Sequence, residues 1–290
     1  RNKTHIEHLI GLVENEADAA LYEAKRTGRN RVQMVTGSSH SVFGMASQIE
    51  SALRSNRLRT AYQPIVDLAT GSLRGFEALV RWQHSLKGWQ SPAAFIPFAE
   101  ETGLIHDIGR WILWEAARRC REWVELLDPE PGQFKVTVNL SARQLDDEAI
   151  VDEVSRVINE MGFDPSFLVL EITETAMMNA APELLEELRR LGVPLAIDDF
   201  GTGYSSLASL HKLPVDVLKI DQVFVQGITD EDDASPFVGT MVGLGQALGL
   251  QTIVEGIETK EQLERLVELG CDTGQGFYFA KPVPFAQASQ

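Results

Sequence analysis

Short apolar runs alternate along the chain with longer stretches in which apolar positions recur every three or four residues. The first pattern predicts buried strands and the second predicts helices with one core-facing side. The expected strands cover residues 60–66, 73–82, 134–140, 167–172, 194–197, 215–220, 252–254 and 276–279. Helical spacing lies between most of them, over 108–127, 147–161, 182–191, 236–248 and 260–269, and a helix over 46–56 leads into the series. Asp147 and Glu148 put negative charge at a helix start, and Gly162 and Gly192 follow helix ends. This rhythm, sustained over roughly 240 residues, predicts a (β/α)8 TIM-like barrel or a doubly wound sheet. The first two strands read as a hairpin around Thr70-Gly71, which sets one antiparallel strand near the start of the barrel.

The first 40 residues follow a different plan. Residues 16–25 have Ala20, Leu21 and Ala24 at helical spacing, with Asp18 to cap the start and Gly28 to stop the helix. Residues 31–35 alternate as a short strand, and 36–41 (TGSSHS) have the composition of a linker. One helix and one strand cannot bury a core. The expected division is therefore a fragmentary segment over 1–40 and a barrel over 41–290.

In a barrel of this class the chemistry sits at the C-terminal ends of the strands. Each apolar run here ends in a polar group suited to such a site. Glu77 lies within FEALVRW, Asn139 follows FKVTV, and Glu171 follows FLVL with Glu174 three residues on. PLAI leads to Asp198 and Asp199, VDVL to Lys219 and then Asp221, TIV to Glu255, and the last strand region carries Gln275. Any one of these alone reads as a helix cap or a solvated loop group. Glu174 would charge a helix start, and Asp221 would cap a helix from Gln222. Lys219 interrupts an apolar run, so its ammonium needs a carboxylate partner or a task. The full set suits oxygen coordination of hard cations, Mg2+ or Mn2+, and adjacent aspartates can serve two of them.

Composition sharpens this. The chain has 290 residues, 44% hydrophobic, enough for a large core. A net charge of −16 disfavours nonspecific DNA or RNA binding and means an anionic substrate needs cations at its site. The two cysteines, Cys120 and Cys271, form no metal-ligand spacing, which agrees with a reducing, cytoplasmic setting. The six histidines form no ligand cluster, and lone His84 and His106 read as structural. The most apolar long stretch, 237–254, is broken by glycines and glutamines and reads as a buried helix and strand rather than a membrane span. The sequence opens on Arg1 with no secretory signal, and a chain without an initiating Met is expected to be a fragment whose parent could be membrane-anchored upstream.

FEALVRW, with Glu77-Ala78-Leu79 at its centre, resembles the signature of EAL domains, the bacterial cyclic di-GMP phosphodiesterases. The likeness continues through YQPI, FIPFAEETGLI, VNLSARQL, LEITET, DDFGTGYSSL, LKIDQVFV, VEGIET and QGFYFAKP, nine ordered blocks over about residues 44–285. EADAALYEAKRTGRNRVQM is similar to the last helix and strand of a GGDEF (diguanylate cyclase) domain, although the cyclase signature is absent. The resemblance implies a barrel with one antiparallel strand and a two-metal hydrolysis of cyclic di-GMP to linear pGpG. By position, Glu77, Asn139, Glu171 and Asp198 would hold one metal, and Asp198 and Asp199 the second, with Glu255 nearby as a ligand or water-positioning group. Lys219 and Gln275 would position the attacking water, and Gln63, Arg81 and Asp221 would belong to the substrate side. Glu174 would anchor the 200–206 loop, which in this family is tied to metal binding and, with the adjoining helix, to a homodimer. Ser85 and Val254 depart from the common pattern but carry no ligand. The alternatives are a silent cyclic di-GMP receptor and an unrelated barrel lyase of the enolase kind, which leaves DDFGTGYSS unexplained.

Overall fold

Strands β1 (Leu58–Asp67) and β2 (Leu73–His84) form the hairpin expected around Thr70-Gly71. Asp67 fixes the turn. Its Oδ1 accepts from the Thr70 amide at 2.9 Å, its carbonyl accepts from the Gly71 amide at 2.8 Å, and its Oδ2 receives Arg74 Nη2 at 2.8 Å. Gly71 has φ +70°, a conformation that costs glycine nothing. This computed structural model describes residues 37–202, 210, 212–228 and 235–290. The helix expected over 16–25 and the strand over 31–35 lie outside the described residues.

After the hairpin come β3 (Gly88–Gln90), β4 (Lys135–Leu140), β5 (Leu168–Thr173), β6 (Leu195–Phe200), β7 (Val217–Ile220), β8 (Gln251–Val254), β9 (Thr273–Gly274) and β10 (Val283–Pro284). The ladder runs β1-β9-β8-β7-β6-β5-β4-β2 and closes through a β1–β2 pairing. Every pair from β2 through β9 is parallel, whereas β1 runs antiparallel to β9. This is the eight-stranded barrel with one reversed strand. β10 pairs with β1, and β3 pairs with residues 82–84 of β2.

The described residues divide into two compact units. The smaller comprises 37–58 and 82–104. Within it Trp82 meets Phe95 edge-on at 5.7 Å, and His84 pins the tip between β2 and β3. His84 Nδ1 accepts from the amides of Leu86 and Lys87 at 3.0 and 3.2 Å, which leaves Nε2 as the donor to Gln48 Oε1 at 2.8 Å. The lone histidine is structural.

The larger unit comprises 59–81 and 105–290 and holds the barrel. Helix Ile105–Leu127 buries Ile108, Ile112, Ala116, Cys120 and Trp123, a near four-residue spacing that keeps one face inward. Trp123 stacks on Phe76 at 4.4 Å and meets Tyr62 edge-on at 4.9 Å, which fastens the helix to the first two strands. Among the described residues no helix is long and apolar enough to cross a membrane, and the stretch over 237–254 is helix Ser235–Leu248 followed by β8.

Two expectations need correction. Residues 37–41, read as linker, belong to helix Gly37–Arg54, because a helix once nucleated extends through serines and a glycine at about 0.5–1 kcal/mol each. Residues 276–279 are a turn, and the last barrel strand is β9 at Thr273–Gly274. A Cβ on Gly276 would lie 2.0 Å from the Ile257 carbonyl oxygen, so the chain crosses another backbone there rather than continuing the ladder. The aromatic run that suggested a strand is partly exposed, Phe277 at 54%.

Gly75 supplies a test of the β2–β4 register, in which it faces Lys135. A Cβ there would meet the Lys135 carbonyl oxygen at 2.0 Å, a clash with backbone that cannot swing aside. Gly75→Ala is expected to cost about 1–3 kcal/mol and lower the thermal midpoint by roughly 2–10 °C. An unchanged midpoint would mean that the two backbones are not so close.

Candidate active site

Parallel neighbours in register turn their side chains to the same side, so the pairings decide which polar groups converge. Asn139 stands beside Glu171, and Glu77 stands one pleat from Asn139 through the pairing of Ala78 with Val138. Lys219 lies in β7, beside Ile253 of β8, with Glu255 two residues past Ile253. The result is a cluster centred on one ammonium. Lys219 Nζ lies 2.7 Å from Glu255 Oε1, 2.9 Å from Glu171 Oε2, 2.9 Å from Asp198 Oδ1 and 4.0 Å from Glu77 Oε1. Its residue is 1% exposed.

Amides tie the remaining members in. Asn139 Nδ2 donates to Glu77 Oε1 at 2.9 Å. Gln275 Nε2 donates to Glu77 Oε2 at 2.7 Å and to Glu255 Oε1 at 2.8 Å. Two carboxylate acceptors fix the orientation of that amide, since its oxygen could bond neither. Glu171 Oε1 and Gln275 Oε1 are buried and accept no hydrogen bond.

The Asp198–Asp199 pair poses a geometric problem, because adjacent strand residues point to opposite faces. The chain solves it with a bulge. The β6–β7 register shifts between Ile197 and Phe200, and Asp199 takes φ +56°, a left-handed conformation that aspartate tolerates better than most residues. One carboxylate oxygen each from Asp198, Asp199 and Glu255 then lies within 4.8 Å of the others. Thr202 Oγ1 donates to the Asp199 carbonyl at 2.8 Å and holds the bend. The sequence reading passed over Thr202, although a hydroxyl three residues past a turn is a recognisable signal. Gly201 follows with φ +95°, and a Cβ there would strike Met241 Cε at 2.5 Å and the Phe224 ring at 2.8 Å.

Electrostatics follow from this crowding. Burial, and then the neighbouring carboxylates, raise Glu171 well above the usual carboxylate range, while Lys219 pulls the other way. Glu255 is pushed up to about 7, first by burial, and Asp199 to about 6, by burial and then Asp198. Burial alone would lower the Lys219 pKa, but Asp198, Glu171, Glu255 and Glu77 outweigh it and hold the ammonium charged.

The other expected site residues fall around this cluster. Glu174 is buried at the start of helix Glu174–Asn179, and its Oε2 accepts from the Gly201 amide at 3.0 Å. Asp221 caps helix Gln222–Gln226, with Oδ1 accepting from the Val223 amide at 2.7 Å, and its negative charge helps to push the Asp199 carboxyl up. Arg81 shares a face of β2 with Glu77, four residues further toward the strand's C-terminal end, and is half-buried. Gln63 in β1 is buried and donates to the Ala280 carbonyl at 3.4 Å. Neither Arg81 nor Gln63 bonds a member of the carboxylate cluster. Residues 203–206 of the expected dimer loop lie outside the described residues.

A family model described as the EAL domain matches residues 46–282. The bifunctional diguanylate cyclase/cyclic di-GMP phosphodiesterase MucR of Pseudomonas aeruginosa is 41% identical over 278 residues, 93% of this chain and 40% of that protein. Cyclic di-GMP phosphodiesterase PdeR of Escherichia coli is 37% identical over 275 residues, 92% of this chain and 41% of that protein. The chain thus spans about two fifths of the length of these curated relatives. A solved structure of the PaMucR phosphodiesterase in complex with c-di-GMP is similar with a TM-score of 0.79 at 41% identity, over 84% of this chain and 99% of that one. The cGMP-bound form of EAL enzyme Bd1971 gives 0.81 at 32% identity, over 87% and 69%.

Replacing the central cation tests the cluster. Lys219→Met keeps most of the volume and strands the carboxylates without their counter-charge. In chelator, urea unfolding of the variant is expected to show a loss of about 3–5 kcal/mol. A midpoint equal to that of the parent would mean that these carboxylates do not face the ammonium as described.

Proposed function

Because the chain belongs to the EAL domain family, we propose that it hydrolyses cyclic di-GMP to linear pGpG with the help of two divalent cations. The observation that carries this reading is the convergence of Glu77, Glu171, Asp198 and Glu255 on buried Lys219, with Asp199 turned in beside them. Phosphodiesterase names among the relatives and the c-di-GMP complex of a similar structure support the substrate.

The donor set fits hard cations. It is all oxygen, its carboxylates outnumber the single ammonium, and Glu171 Oε1 is buried with no donor. Glu77, Asn139, Glu171 and Asp198 would hold one Mg2+ or Mn2+, and Asp198 and Asp199 the other, with Glu255 alongside. When bound, such ions lower the pKa of water and neutralise phosphate charge. The chain's own groups do the rest. Lys219 keeps Glu171 and Asp198 turned inward and sets positive charge where negative charge develops on the phosphate oxygens. Gln275 fixes Glu77 and Glu255 relative to each other and orients water. Arg81 and Gln63 line the approach of the dinucleotide, and Glu174 steadies the turn after Asp199. Water gives its oxygen to phosphorus, the bond from phosphorus to one 3′ oxygen breaks, and that oxygen takes up a proton. The ring opens once, which yields pGpG.

A silent receptor would be expected to lack one of these groups, and this sequence carries each of them. No cyclase activity is assigned, since no cyclase signature stands in residues 1–40. A cytoplasmic homodimer through the 200–206 loop and the adjoining helix belongs to the same proposal.

The test is incubation with cyclic di-GMP and Mg2+ or Mn2+, with pGpG followed by chromatography. Turnover is expected with either ion and should vanish in chelator. Glu77→Ala and Asp199→Asn should each lower it by about 100-fold or more. Binding without turnover would favour the receptor, and near-parental rates in Glu77→Ala would refute its role as a ligand.

A further inference from the structure

One side chain outside the carboxylate cluster bonds two of the segments that shape it. Gln262 lies in the first turn of helix Lys260–Glu268 and is 8% exposed. Its Oε1 accepts from the amides of Glu258 and Thr259 at 2.8 and 3.1 Å, and its Nε2 donates to the Val225 carbonyl at 3.2 Å. Two N–H groups on one side and a carbonyl on the other fix which way this amide points.

The two sets of partners lead to different parts of the site. Glu258 and Thr259 end the loop that begins at Glu255. Within that loop the Ile257 amide donates to the Gln275 carbonyl at 3.1 Å, and the Ile257 carbonyl accepts from the Tyr278 amide at 2.9 Å. The loop therefore sets the backbone of both Glu255 and Gln275, whose side chains bond each other. Gly256 takes φ +73°, and a Cβ there would lie 2.3 Å from Gln222 Cβ, so the same loop runs against the start of helix Gln222–Gln226. Val225 belongs to that helix, which with five residues is too short to hold itself. Asp221 caps its start, and the ring of its Phe224 closes the space at Gly201, two residues past Asp199.

The residue type separates two roles. Thr259 and Gln262 form a capping box at the start of helix Lys260–Glu268. A glutamate at 262 would meet both requirements of that box as well as glutamine does. What a carboxylate lacks is a proton to give the Val225 carbonyl. The amide is thus needed for the bond to the second helix, beyond what capping asks.

We propose that Gln262 is a positioning residue for the hydrolytic site, one buried amide that locks the Glu255–Gln275 loop to the helix behind the Asp199 turn. Its effect on turnover rests on the phosphodiesterase reading, whereas the lock itself does not.

Two variants of the whole chain test this. Gln262→Glu keeps the capping box and loses the bond to Val225, and Thr259→Ala loses the capping hydroxyl and keeps that bond. With cyclic di-GMP and Mn2+, Gln262→Glu is expected to lower kcat by about tenfold or more and to change KM by less than about threefold. Thr259→Ala should keep kcat within about twofold. Titration calorimetry with Mn2+ alone should show affinity weaker by about tenfold in Gln262→Glu and unchanged in Thr259→Ala. Hydrogen exchange over residues 221–228 should quicken by about tenfold in Gln262→Glu alone. Circular dichroism confirms folding, and should the buried carboxylate prevent it, Gln262→Met loses the same bond without adding charge and is read in the same way. Parental kcat and Mn2+ affinity in the folded variant would overturn the proposal, as would equal losses in Thr259→Ala. A parent chain that does not hydrolyse cyclic di-GMP would sink the phosphodiesterase reading, and Mn2+ affinity and exchange would still decide whether Gln262 holds the site.

Discussion

Everything at the C-terminal end of the barrel depends on one buried ammonium. Lys219 holds Glu255, Asp198 and Glu171 at 2.7–2.9 Å. At an effective dielectric near 20, each such contact is an attraction of about 6 kcal/mol before desolvation. Removing each ion from water costs several kcal/mol, and the carboxylates repel one another. The balance gives no reason to build this cluster for stability alone, since a packed apolar layer would serve as well or better. Its justification is that the carboxylates must stand close together at strand ends. Lys219 permits that crowding, and Asn139 and Gln275 hold Glu77 in place beside it.

The second constraint is local and concerns backbone. A regular strand cannot turn two consecutive carboxylates into one site. The bulge at β6 does so by placing Asp199 in a left-handed conformation, which persists only where its surroundings hold it. Those surroundings are specific. Thr202 bonds the Asp199 carbonyl, Glu174 receives the Gly201 amide, and Phe224 and Met241 fill the space that any other residue at 201 would need. Glu174 therefore does two things at once. It sits at a helix start, as its position alone suggested, and it also holds the turn that presents Asp199.

These particulars explain what could be read from the residues. Strand and helix order was legible because apolar runs and 3.6-residue spacing are set by burial, and burial is nearly complete in β5 and β7. Lys219 was legible because a charge within VLKID has no cheap explanation. The bulge was not, since LAIDDF carries no mark of where alternation fails. The turn at 276–279 misled because FYF has strand-like composition, whereas its shape is set by a backbone crossing at Ile257 that is distant in sequence. Helix Gly37–Arg54 exceeded its expected start because Gly and Ser disfavour a helix only weakly.

The reversed strand links the two ends of the barrel. In an all-parallel barrel a helix and its loops would connect the first strand to the second. Here a hairpin joins β1 to β2, and its turn lies at the N-terminal mouth. That arrangement brings Asp67 and Arg74 to the rim as a bonded pair, with Ile65 packed above them against Val169, Val217 and Ile253. At the other end the same reversal carries Gln63 toward Ala280, on the segment that follows Gln275. Thr137 connects the two regions within the barrel. It is the register partner of Glu77 on β2, and it lies two residues from Asn139, which bonds Glu77, and two residues from Lys135 at the mouth. The N-terminal mouth and the carboxylate cluster are therefore joined by alternate positions of a single strand, Lys135, Thr137 and Asn139.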